Sequence, residues 1–201
     1  MLQSFSHLSA SVADLSDEAL VIKCKKEPQY FAVLVDRYVP KLTRYIRRRS
    51  LATNGDIDDL LQNIFIKVYR NINEYNTSLL FSSWIYRISH NEMIDWYRRE
   101  KRRATLSLDD EAQDIISRLI TEEDHTVRFS NEEQKQHIIK TLNTLDEKYK
   151  EILLLRFFDE KSYEEIADIL KIPAGTVAVR LNRAKKQLQK SLENNPHGTN
   201  T

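Results

Sequence analysis

Glycine is scarce in this 201-residue chain: Gly55, Gly175 and Gly198 are all there are. Proline is nearly as rare, at positions 28, 40, 173 and 196. Sandwiches and barrels draw their tight turns from Gly, Asn-Gly or Asp-Gly, so the composition argues against an all-β fold. The same shortage removes the glycine-rich loops that cradle dinucleotides or nucleoside phosphates. Cysteine occurs once, as Cys24, which rules out an internal disulfide and a four-cysteine zinc site. No apolar run approaches the ~20 residues that span a bilayer. The opening MLQSFSHLSASVADLSDE has neither the basic start nor the apolar stretch of a secretory signal. These absences predict a reduced, cytoplasmic, mostly helical protein of one or two small domains.

Charge is plentiful but nearly balanced, at +1 overall. Its distribution is uneven. Residues 1–104 hold 17 Lys+Arg against 12 Asp+Glu, residues 105–134 hold 2 against 9, and residues 135–201 hold 12 against 9. Two basic bodies flank an acidic stretch. Charge runs on helices are usually solvated faces. Two runs demand more. Arg98-Arg99-Glu100-Lys101-Arg102-Arg103 ends a long helical pattern, and Lys171 to Leu192 carries six basic residues and no acid. Unopposed positive charge on a helix suits phosphate.

Apolar spacing is helical nearly throughout. Ser16 is positioned to cap a helix to about Lys26, and Pro28 suits the first turn of another over about 28–38. Pro40 is expected to reset the chain before a third helix ending near Arg49. Asp56 is expected to cap a long helix with Ile57, Leu60, Leu61, Ile64, Phe65, Val68, Tyr69 and Ile72 inward, the i, i+3, i+4, i+7 pattern. Asn73 to Ser78 reads as a loop. A further helix over 81–103 is expected to bury Trp84, Ile85 and Ile88. The acidic segment of about 105–129 reads as a linker with one short helix around Ile115, Ile116, Leu119 and Ile120. Beyond it, Ser130–Glu133, Thr144–Glu147 and Ser162–Glu165 have the capping-box spacing. The run 152–158 is apolar nearly all round, which predicts a buried helix. A last helix from about Gly175 to Leu192 places Val177, Leu181, Ala184, Leu188 and Leu192 on one stripe.

The segment YEEIADIL, then KIPA, then GTV has the layout of a DNA-binding helix-turn-helix. Ala167 is small where helices cross, Ile172 plugs the turn, and the second helix is basic. The bland alternative is an ordinary helical corner. With Val177 and Leu181 inward, Thr176, Ala178, Val179, Asn182, Arg183 and Lys186 face outward. Asn182 and Arg183 are the types that read base edges in pairs of hydrogen bonds, whereas Ala178 and Val179 offer apolar contact to thymine methyls. Arg180, Lys185 and Lys186 are expected on phosphates. In the N-terminal half, Trp84, Tyr86, Trp96 and Tyr97 are interleaved with Arg87, Arg98 and Arg99, which suits stacked bases of a single strand. Trp84 is assigned to the core; Trp96 and Tyr97 fit either core or nucleic acid. Asn91, beside His90, reads as a base-edge contact or an exposed amide.

Four pieces now carry a resemblance: YFAVLVDRYVPKLTRYI, DIDDLLQNIFIKVYRNINEY, FSSWIYRISHNEMIDWYRREKRR and LNTLDEKYKEILLLRFFDEKSYEEIADILKIPAGTVAVRLNRAKKQL. In this order the chain resembles a sigma-70 family sigma factor of the short extracytoplasmic-function (ECF) group. The resemblance implies an all-α protein with region 2 over 17–104, an acidic linker over 105–130, region 4 over 131–192 and a disordered tail over 193–201. It implies binding of core RNA polymerase through the β′ coiled coil and the β flap, capture of the melted −10 element by region 2, and reading of the −35 element by region 4. The polymerase contact is carried over to Asp59, Leu60, Gln62, Asn63 and Phe65. The −10 contacts fall on Asn76, Thr77, Ser78, Leu79, Leu80, Asn91, Asp95 and Arg98, with Asn91 matching the residue that holds a flipped-out base. The −35 contacts fall on Thr176, Ala178, Val179, Arg180, Asn182, Arg183 and Lys186. Many relatives are held inactive by an anti-sigma protein, so that partner is implied too. No cofactor, metal, catalytic residue or membrane insertion is implied.

Three departures carry expectations of their own. Asn63 stands where an acid is common, which shifts weight onto Asp59. Lys171 stands where the turn often has glycine, so a strained or a different turn geometry is expected there. Ala178-Val179 replaces a more polar pair, which predicts a changed −35 preference. Two rival classes are weaker. A two-metal nuclease needs converging carboxylates, but Asp56, Asp58 and Asp59 lie in a helix first turn, where acids are ordinary. Histidines 7, 90, 125, 137 and 197 have no ligand spacing. A dimeric helix-turn-helix regulator accounts for 135–192 and leaves the N-terminal half unassigned.

Overall fold

The computed structural model describes Val12, residues 14–50 and 52–104, Leu142, and residues 145–194, without the side chains of 103, 104 and 192–194. Within these residues every regular element is helical. The chain divides into two compact units, Met1–Leu106 and Ser107–Thr201. The expected linker, the Ser130 box, Thr144 and the tail beyond 194 lie outside the described residues.

The first unit opens with α1, Asp17–Lys26, whose N-cap Ser16 accepts from the Ala19 N–H at 3.2 Å. A 3-10 turn over Pro28–Tyr30 leads into α2, Phe31–Arg49. Here the expected break at Pro40 does not occur, and the two helices expected over 28–49 are one. Pro40 and Asp36 are both exposed. The ring leaves the Asp36 carbonyl without its helical donor, and on this face water can replace it. The opposite stripe of α2 buries Leu34, Tyr38, Leu42, Tyr45 and Ile46 completely or nearly so. At about 2–5 kcal/mol for a buried leucine truncated to alanine, Leu42→Ala alone would remove much of a small domain's stability.

Helix α3, Asn54–Asn71, starts earlier than expected. Thr53 is the N-cap, and Asp56 occupies the third helical position of a capping box: its Oδ2 accepts from the Thr53 N–H at 2.9 Å while Thr53 Oγ1 accepts from the Asp56 N–H at 3.2 Å. Ile57, Leu60, Ile64 and Val68 are buried as expected, but Tyr69 is 50% exposed. Helix α4, Phe81–Ala104, buries Phe81, Ile85, Tyr86 and Met93 together with Ser83, Ser89 and Glu92. Trp84 and Ile88, expected in the core, are only half-buried. Serines on the inward stripe hid its true direction. Ser89 satisfies its own hydroxyl by donating to the Ile85 carbonyl at 2.8 Å, so it can be fully buried without penalty.

The second unit holds α5, Glu147–Phe157, α6, Tyr163–Leu170, and α7, Ala174–Asn194, which pack on one another. Helix α5 begins with N-cap Asp146, whose own side chain makes no capping hydrogen bond. The run Ile152 to Leu155 is buried all round, while Phe157 is 46% exposed. From α7, Val177, Leu181 and Ala184 are buried and Leu188 is half-buried. No described helix is long and apolar enough to cross a membrane.

Candidate protein and nucleic-acid interfaces

One face of α3 is exposed along Asp59, Gln62, Asn63 and Ile66. These positions recur at i, i+3, i+4 and i+7, so the spacing that buries one stripe of the helix presents them together. Leu60, expected among the contacts, points the other way and is 1% exposed; it supports the face from below and offers no surface. Phe65 sits at the margin. It lines an apolar groove with Phe31, Val35, Gln62, Ile66, Tyr69 and Arg70. The Phe31 ring meets Phe65 edge-on at 6.4 Å and Tyr69 at 5.1 Å between centroids. Apart from Gln62 and Phe65, this groove went unanticipated. Its signal was Ile66, an aliphatic residue on the polar side of an otherwise regular amphipathic pattern.

The loop between α3 and α4 is a small ordered turn. Asn76 Oδ1 accepts from the Ser78 N–H at 3.0 Å and from Ser78 Oγ at 2.9 Å, an Asx turn. The Leu79 N–H donates to the Asn76 carbonyl at 3.1 Å, and Tyr75 donates its hydroxyl to the Leu79 carbonyl. Burial, with Glu18 and Asp17 adding negative charge nearby, pushes the Tyr75 phenol up to about 12, so it remains a donor at any physiological pH. The Trp84 ring lies 4.9 Å from that of Tyr75 and 5.7 Å from Phe81, flooring the loop with aromatics. Above this floor Leu79 and Leu80 are about half exposed. Thr77 is half-buried, and Asn76 and Ser78 are exposed.

Further along α4, Asn91 is exposed. Asp95 pairs with Arg98 at 3.4 Å, and both side chains remain largely open to solvent. Of the two undecided aromatics, Tyr97 donates its hydroxyl to the Arg49 carbonyl at the end of α2, which gives it a structural task. Trp96 is half-buried against it, at 5.2 Å between rings. Arg49 donates to the Tyr45 hydroxyl at 2.8 Å and lies 3.0 Å from His90 Nδ1.

In the second unit the helix-turn-helix is built locally. Ser162 caps α6, accepting from the Glu165 N–H at 3.1 Å while Glu165 accepts from the Ser162 N–H at 2.9 Å. Lys171 ends the helix at φ 54°, ψ 46°, a left-handed conformation, so of the strained or altered geometries expected there the strained one is found. Its N–H and that of Ile172 both reach the Ala167 carbonyl, the latter at 3.1 Å, closing the helix as a Schellman turn does. Pro173 then accepts from the Thr176 N–H at 2.8 Å to begin α7. Val179, Asn182, Arg183 and Lys186 are exposed on α7, and Thr176, Ala178 and Arg180 are half-buried. The described residues contain no group of three His, Cys, Asp or Glu able to hold a metal.

Comparison with known proteins places both units. Residues 34–103 match the family model for Sigma-70 region 2, and residues 135–188 match that for Sigma-70, region 4. The chain is 31% identical over 188 residues to the ECF RNA polymerase sigma-E factor of Haemophilus influenzae, covering 89% of this chain and 96% of that one. It is 34% identical over 177 residues to the ECF RNA polymerase sigma factor SigW of Bacillus subtilis, covering 84% and 91%. Among solved structures, CnrH in complex with the cytosolic domain of CnrY is similar at TM-score 0.63 and 21% identity, covering 89% of this chain and 98% of that one. The sigma factor RpoE in complex with the anti-sigma factor NepR from Bartonella quintana is similar at 0.59 and 24%, covering 80% and 93%. The region 2 match accounts for the half of the chain that a dimeric regulator leaves unexplained. On both regions and on its relatives over most of their length, the chain belongs to the sigma-70 family of RNA polymerase sigma factors, in the ECF group.

Proposed function

We propose that the first unit docks on core RNA polymerase and captures the −10 strand while the second reads the −35 duplex, so that the chain directs polymerase to a specific set of promoters and helps melt them. Asp59, Gln62, Asn63 and Phe65 form the polymerase face, with Leu60 as its support and the groove beside Phe31 and Tyr69 extending it. The apolar groove suits an amphipathic helix laid along it, as a coiled coil presents. Asn76 to Leu80, Asn91, Asp95 and Arg98 meet the melted strand. Thr176, Ala178, Val179, Arg180, Asn182, Arg183 and Lys186 meet the −35 element, and the β flap is the second polymerase contact. The acidic linker over 105–130 follows the path of nucleic acid in the polymerase channel. An anti-sigma protein is the opposing partner, as in the complex of RpoE with NepR. The protein carries no catalytic residue of its own and works in the cytoplasm.

One observation carries the reading: a single short chain bears an exposed apolar groove along α3 and, on α7, an exposed row of Val179, Asn182, Arg183 and Lys186. Run-off transcription with purified bacterial core polymerase and pooled promoter fragments tests it. Transcripts are expected only when the protein is present, and Asp59→Lys is expected to abolish them together with co-purification on core. Tight retention of duplex fragments without polymerase, and no transcripts, would overturn it.

A further inference from the structure

The loop from Asn76 to Leu80 is held at both ends by a helix far away in sequence. At its entrance, Lys25 Nζ of α1 donates to the carbonyls of Asn73, at 3.2 Å, and Tyr75, at 2.9 Å. At its exit, Glu18 Oε1, also on α1, accepts from the Phe81 N–H at 2.9 Å. Each contact answers a need that the local sequence leaves open. Helix α3 ends at Asn71, the carbonyls of Asn73 and Tyr75 lie in the turn beyond it, and the Lys25 ammonium gives both a donor. Helix α4 begins after Leu80, which has no side chain able to cap; its first turn contains no acid. A carboxylate at Phe81 supplies both the missing acceptor and the favourable charge. Two opposite charges, seven residues apart on one helix, thus hold the two ends of one loop. Helix α1 is itself fixed: Asp17 pairs with Arg37 at 2.8 Å and accepts from the Tyr38 hydroxyl, while Leu20 and Val21 are fully buried.

We propose that α1 is a clamp for the −10-capture loop, with Lys25 and Glu18 as positioning residues that set the geometry in which Asn76 to Leu80 meets the unpaired strand. This rests on the assignment of that loop to the −10 element. A base is discriminated only if the groups that read it are already in place, so loss of either anchor lowers selectivity for the cognate strand. The opposite charges of the two residues separate this role from direct contact with DNA. A lysine that merely touched phosphate would weaken all sequences alike and lower the salt slope by about one when lost. A carboxylate near phosphate would strengthen binding when lost.

The test uses holoenzyme and fluorescent single-stranded oligonucleotides, one carrying the −10 element of a promoter identified by run-off transcription and one with it scrambled. Lys25→Met and Glu18→Ala are each expected to reduce the cognate-to-scrambled affinity ratio about three- to tenfold, the scale of a charge-assisted hydrogen bond. The salt slope and affinity for core polymerase should be unchanged, and Lys25→Arg should restore most of the ratio. Lys23→Met, which removes the same charge from α1, should leave the ratio as it was. Leu79→Ser tests the loop itself. If Leu79→Ser lowers the ratio but Lys25→Met and Glu18→Ala do not, the clamp is wrong and the loop assignment stands. If Leu79→Ser has no effect, the loop assignment falls. If Lys25→Met weakens both strands equally with a shallower salt slope, Lys25 is a phosphate contact and the clamp is overturned.

Discussion

Lys67 of α3 donates to the carboxylate of Glu92 on α4, a side chain left only 5% exposed. The pair joins the helix that carries Asp59 and Gln62 to the helix that carries Asn91. Its two ends are unequal, because the Lys67 side chain is 51% exposed and keeps much of its hydration. Removing the lysine strands a buried carboxylate, whereas removing the carboxylate releases a lysine to water. Lys67→Met is therefore expected to destabilise the first unit by about 1–2 kcal/mol, discounted for the exposed partner. Adding Glu92→Leu to it should recover part of that loss. Urea denaturation of the single and double variants measures both, and equal, additive losses would show that the two side chains act independently.

Three buried acids that resist ionisation make the first unit sensitive to alkali. Burial raises the Cys24 thiol from 9.0 to about 11. Burial also raises Tyr75 to about 12 and, assisted by the Asp17 carboxylate that its hydroxyl bonds, drives Tyr38 upward. In each case the folded state holds its proton more tightly than the unfolded chain. Their stabilising effect is complete below the unfolded values, near 9 for the thiol and 10 for the phenols, and is lost as pH rises towards 11–12. Unfolding followed at increasing pH should show stability flat to about pH 9 and falling above it. Cys24 should resist alkylation in the native protein at neutral pH and react on unfolding. Rapid native alkylation would contradict the buried, protonated thiol.

Much of this was legible before the structure, and the exceptions share a cause. Ser16, the Ser162–Glu165 box and the turn at Lys171 were readable because each is settled by residues three or four apart. The stripe of α4 was misjudged because Ser83 and Ser89 are buried there, and a serine that bonds its own helix carries no hydrophobic signature. Pro40 was over-weighted because its effect depends on which face it occupies, which only packing decides. Leu60 was transferred to the docking surface by resemblance, although its own periodicity placed it inside. The clamp on the loop was invisible: Lys25 and Tyr75 are 50 residues apart, Glu18 and Phe81 are 63 apart, and a lone surface charge does not announce a partner at that distance.

Arg183 stands fully outward on α7 beside Asn182, where a guanidinium can span the two acceptors of a guanine edge. Arg183→Ala is expected to cost about 1–3 kcal/mol at the −35 element and to relax preference at one base pair. Lys186→Ala, by contrast, should weaken all sequences nearly equally. Competition binding of holoenzyme across a set of single-base −35 variants distinguishes them. Uniform loss for Arg183→Ala would move it to the phosphates.

Lys171 bears strain that glycine would relieve. At φ 54° its Cβ crowds the backbone, and the left-handed conformation disfavours a side chain by roughly 1–2 kcal/mol. The Nζ contact to Asp168 at 3.0 Å comes from a lysine side chain that is 65% exposed and offsets little of this. Lys171→Gly relaxes the native turn but also loosens the unfolded chain, which opposes the gain. The net expectation is a stabilisation of the second unit by about 0.5–1 kcal/mol, seen as a higher midpoint in thermal unfolding. Lys171→Ala removes the same amine while keeping the Cβ, so it should give no such gain. A gain from alanine equal to that from glycine would place the benefit in the lost charge, not in the backbone.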